Sequence, residues 1–98
     1  MTIFKKKLTT EDIARLTEAK ANGKVARHAW DSYVRDLLEG RRKEIFDTFS
    51  KARPDDVDTL ITLRHLLAAV DDIEKAVLID MERGEYAAKR LNEDTDDN

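Results

Sequence analysis

The sequence predicts an all-α fold: a long antiparallel helical hairpin with a short helix at its N-terminal end, completed by self-association into a helical bundle. Three observations carry that expectation. Glycine (3) and proline (1) are scarce in the 98 residues, and no segment shows the strict apolar–polar alternation of a strand. Apolar residues recur three, four and seven apart on both sides of the single proline, Pro54, a spacing that gathers them on one helix face. The charge also changes sign at that proline. Residues 1–53 hold 13 Lys and Arg against 8 Asp and Glu, a net of +5, whereas residues 54–98 hold 5 against 13, a net of -8. A chain folding back at Pro54 lays a basic arm along an acidic one, although exposed ion pairs contribute only about 0–1 kcal/mol each.

Residues 1–8 form a basic lead-in with Ile3, Phe4 and Leu8 as apolar anchors. Thr9 and Asp12 have the spacing of a capping box, with Asp in place of Glu or Gln, and an acidic first turn suits the helix dipole. They open a first helix over about 10–21, with Ile13 and Leu16 as a narrow apolar edge and Asn22-Gly23 as its stop. The second helix is expected over about 24–52. Its stripe is Trp30, Tyr33, Val34, Leu37, Leu38, Ile45 and Phe49, and Gly40 costs it about 1 kcal/mol relative to Ala. Pro54 disfavours helical geometry at Arg53, and an Asp of Asp55-Asp56 caps the next helix. That third helix is expected over about 56–83 with Gly84 as its stop, followed by a short helical turn over 85–91. Residues 1–91 thus read as one domain. The acidic segment 92–98 has no apolar side chain to offset its ordering entropy and reads as a disordered tail.

The third helix has more apolar arc than one partner helix covers. Leu60, Leu63, Leu66, Leu67, Val70, Ile73, Val77 and Met81, with Leu78, span roughly half a turn at about 100° per residue. Those eight are the expected self-association face, on the logic of a four-helix bundle or coiled-coil dimer. Within the seam, Arg41 falls amid Trp30, Val34, Leu37 and Ile45, and Glu74 falls amid Leu63, Leu67, Val70 and Met81, with Asp71 one turn earlier. The three read as an interhelical polar pairing that sets register.

Composition removes several functions. Cysteine is absent, which excludes disulfides, thiol nucleophiles and thiolate metal sites. No apolar run approaches the roughly 18 residues of a membrane span, and the N-terminal lysines lead into no secretory apolar core. His28 and His65 lie in no metal-binding motif, and Asp71, Asp72 and Glu74 lack the loop and glycine of a calcium site. Ser32 and Ser50 have no nucleophile elbow, and Gly23, Gly40 and Gly84 are too isolated to cradle phosphate. The sequence therefore predicts no enzyme, no cofactor and no metal, in a cytoplasmic chain.

A nucleic-acid-associated regulator is the alternative. Its candidate contacts are Lys5, Lys6, Lys7, Arg15, Lys20, Lys24 and Arg27, and Glu11 to Leu16 resembles the first helix of helix-turn-helix regulators. The following helix is too long for that module, and no third helix closes a small core.

The stretch from about Trp30 to Leu91 resembles small helical-hairpin proteins encoded in tailed-bacteriophage genomes. The likeness rests on an aromatic-led helix ending at Pro54-Asp55-Asp56, a leucine-rich helix containing Asp72-Ile73-Glu74, and Asp80-Met81-Glu82-Arg83-Gly84 followed by Ala87 and Leu91. It implies a phage structural or accessory factor, located in the bacterial cytoplasm or the virion, and carries no site residues. The expected function is a non-enzymatic helical interaction or assembly protein, a homo-oligomer with a further protein partner.

Overall fold

The computed structural model describes the backbone of residues 7–96 and the side chains of residues 7–93. Thr9 opens the first helix, α1 (Thr10–Ala29), with the expected capping box: the Asp12 backbone N–H donates to Thr9 Oγ1 at 3.1 Å, and the Thr9 N–H donates to Asp12 Oδ2 at 3.1 Å. One π-helical turn (Trp30–Val34) joins α1 to α2 (Arg35–Lys51), so a single rod runs from Thr10 to Lys51. The turn at Pro54 leads into α3 (Val57–Asp96). Asp56 caps α3, accepting from the Thr59 N–H at 3.2 Å and the Thr59 hydroxyl at 2.7 Å. The two rods pack as an antiparallel hairpin, and the described residues contain no strand.

Both glycine stops are corrected. The chain neither ends a helix at Asn22-Gly23 nor breaks at Gly84, and no glycine has a positive φ. Gly23 and Gly84 are buried against each other instead. A Cβ built on Gly23 would lie 2.5 Å from Gly84 Cα and 3.1 Å from the Asp80 carbonyl oxygen; one built on Gly84 would meet Gly23 Cα at 2.6 Å. Two backbones touch here because neither residue has a side chain. The separate helix over 85–91 is therefore part of α3, with Ala87 fully buried. Neither Gly nor Pro follows Gly84, and α3 runs on past Leu91 to Asp96. Asp97 and Asn98 lie outside the described residues, as do Ile3, Phe4, Lys5 and Lys6.

The π turn moves the seam of α2 by one residue. The Arg35 N–H reaches back five residues to the Trp30 carbonyl, the bond pattern of a π-bulge. An extra residue in the turn delays every later side chain by about 100°. Leu38, not Leu37, is the buried residue of α2, and the position expected for Arg41 belongs to Arg42. With Leu63, Val70, Met81 and Ala87, Leu38 completes a thin core. The hairpin is 66 Å long with a radius of gyration of 20.3 Å, against about 13 Å for a compact domain of this length. No helix among the described residues is long and apolar enough to cross a membrane.

Candidate functional site

Among the described residues, three ion pairs mark the register of the hairpin, each joining an arginine of the first rod to an acid of α3. Arg27 donates to Glu85 at 2.8 Å. Arg42 spans two acids, with Nη2 at 2.9 Å from Asp71 Oδ1 and Nη1 at 2.7 Å from Glu74 Oε2. Asp71 first and then Glu74 raise the Arg42 pKa above its ordinary value. The acids of the expected polar pairing are thus engaged, but by a different arginine. Arg41 is exposed and pairs within its own helix, with Glu44 at 3.1 Å. The one-residue shift from the π turn is the cause.

Beyond Arg42, toward Pro54, the two rods separate. Near Gly23 and Gly84, small residues hold α1 close against α3; at the turn end α2 stands farther off. A groove of about 660 Å³ opens there. Its α2 wall is Ile45, Phe46 and Phe49, and its α3 wall is Val57, Leu60, Ile61 and Leu67, with the buried Leu63 contributing from between. Arg42 and Arg64 are the two charged residues of the lining. Arg42 is held by its acids, whereas Arg64 makes no ion pair among the described residues. The walls are themselves exposed: Phe46 at 68%, Phe49 at 55% and Ile61 at 50%. Small-molecule pockets enclose most of their ligand; this is an open apolar trough. Among the described residues its lining contains no carboxylate, imidazole or hydroxyl, so what it offers chemically is burial of apolar surface beside the Arg64 guanidinium.

The expected self-association face is divided by the fold. Leu63, Val70 and Met81 are consumed in the hairpin, and Leu60 and Val77 are half-buried. Leu66, Leu67 and Ile73 remain exposed, and of the eight only Leu60, Leu63 and Leu67 line the groove. Phe46, Val57, Ile61 and Arg64 were missed as site residues. The available signal was the extra apolar residues flanking Pro54, off the main stripes. Among the candidate nucleic-acid contacts, Lys20, Lys24 and Arg27 share a shallower groove with His28, and Asp31 and Glu85 line it too. Arg15 is paired with Asp12 at 2.8 Å, and Lys7 is exposed. His65 is exposed on α3.

No known family model matches the chain, and neither a curated protein nor a solved structure is significantly similar to it.

Proposed function

We propose that the chain is a non-enzymatic interaction and assembly module that docks an apolar helical segment in the groove between α2 and α3. The single observation that supports this is the exposed apolar lining at the turn end, with Phe46, Phe49, Val57 and Ile61 all at least half exposed. Monomers rarely leave contiguous apolar patches beyond a few hundred Å², and larger ones mark docking sites. A helix laid between two helices is a common way to fill such a trough. A phage structural or accessory role is the setting suggested by the sequence resemblance alone.

The test is capture from the native cell by the wild type and by Phe46→Glu/Ile61→Glu. Because both side chains are at least half exposed in the hairpin, the fold is expected to tolerate the change. The expected result is a protein retained by the wild type and by the control Val25→Glu, which alters an exposed α1 residue outside the groove, but lost from the double variant. Identical capture by all three would place the docking surface elsewhere. The second reading, nucleic-acid association, is favoured by Lys20 and Lys24, which make no ion pair among the described residues and share one groove. Against it, the acids Asp31 and Glu85 stand in the same groove. Duplex DNA binding at about 150 mM salt, weakening steeply as salt rises, would favour this second reading; none is expected.

A further inference from the structure

We infer that the occupant of the groove is a second copy of this chain, related by a two-fold axis that sets α2 of each copy against α3 of the other. The inference rests on the docking reading above and names its partner.

The first argument is area. A stable dimer of standard size needs about 800 Å² from each partner. The groove supplies the apolar part: Phe46, Phe49, Val57, Ile61 and Leu67 are each between 40% and 68% exposed, together on the order of 500 Å².

The second argument is charge. Residues 42–67 contain five bases and five acids, so the turn end as a whole is neutral. The charge is not mixed evenly. Residues 42–53 carry four bases and two acids, a net of +2, and residues 54–67 carry one base and three acids, a net of -2. Within one hairpin the two segments are already neighbours. A two-fold contact places each beside its opposite a second time, alternating sign around four helices, whereas α2 against α2 would join like charges. An isologous interface requires such self-complementarity, and complementary fields direct association. Two hairpins meeting this way make a four-helix bundle at their turn ends, and the apolar walls that one hairpin leaves wet become its core.

Sedimentation of the full chain up to roughly 100 µM tests this. The wild type is expected to approach twice the 11.3 kDa chain mass. Phe46→Glu and Ile61→Glu are each expected to weaken association at least about tenfold while keeping the helical circular dichroism of the wild type, and Val25→Glu to leave it unchanged. The chain has no cysteine, so Ser50→Cys, with the groove intact, carries a single spin label at the turn end. Two such labels are expected within measurable dipolar range in the dimer. A monomer at the highest concentration, a dimer indifferent to both groove variants, or a dimer without a Ser50–Ser50 distance would each overturn the inference. A monomeric wild type that still captures another protein through Phe46 and Ile61 would sink the second copy and leave the docking reading standing.

Discussion

At the scale of single residues, the firmest local device is the Thr9–Asp12 cap. The Thr9 backbone N–H, then the Thr9 hydroxyl and the Arg15 guanidinium, hold the Asp12 carboxyl below the ordinary aspartate value. A depressed folded-state pKa stabilises above the unfolded value and loses that contribution as pH falls through the folded one. Wild type is therefore expected to melt above Asp12→Asn at neutral pH, the gap closing as pH drops below about 4. A gap constant from neutral to strongly acidic pH would mean that the cap works without its charge. The glycines give a sharper contrast. Gly23→Ala forces a Cβ to 2.5 Å from another backbone, which cannot rotate away, and overpacking of that kind costs about 1–3 kcal/mol. A Cβ added at Gly40 would meet nothing within 4 Å, so Gly40→Ala is expected to stabilise by up to about 1 kcal/mol through helix propensity. Thermal melts of the two variants should move in opposite directions; a shared direction would mean that the Gly23–Gly84 contact yields easily.

At the scale of elements, the π turn is the feature that orients everything after it. It behaves as a one-residue insertion: without the extra residue the helix would run on in ordinary geometry with its later side chains in place. Deleting the exposed Ser32 from the turn should therefore convert it to α-helix and keep Leu38 buried and Arg42 on Asp71 and Glu74. Deleting the equally exposed Glu39, which lies in α2 between Leu38 and Arg42, should instead rotate Arg42 away by about 100°. The expected outcome is a melting temperature close to wild type for the Ser32 deletion and one clearly lowered for the Glu39 deletion. Equal losses would show that the π turn itself is needed, for example to hold Trp30 in the seam.

For the molecule as a whole, the hairpin has two ends of different character. One is held by close backbone approach at Gly23 and Gly84 with the buried Ala87, and the other is a pair of bulky apolar walls without a third element between them. Local stability should follow that division, since segments with few buried contacts open most readily. Amide exchange over residues 45–61 is expected to be faster than around Gly23 and Gly84 in dilute protein. It should slow as concentration rises, while the glycine end stays unchanged. Exchange at the turn end that ignores concentration would argue that nothing covers the groove in solution.

The all-helical hairpin could be read directly from the residues, because a 3.6-residue apolar period and a lone proline are local signals. The same holds for the capping box and for the Asp56 cap, whose partners lie three residues away. The glycines could not be read that way. Gly23 and Gly84 look like stops because isolated glycine weakens a helix, and only the packing of two distant segments makes each the space the other needs. The choice of Arg42 over Arg41 was equally hidden, since a constant step of about 100° carries no mark of an inserted residue at Trp30–Val34. The candidate site lies between these cases. Phe46, Phe49, Val57 and Ile61 announce apolar surface near Pro54, but whether α2 and α3 would close over it depended on how far apart the rods stand. That spacing follows from the close approach of Gly23 and Gly84 at one end and its absence at the other, and because the two glycines stand about sixty residues apart in the chain, no local rule connects them.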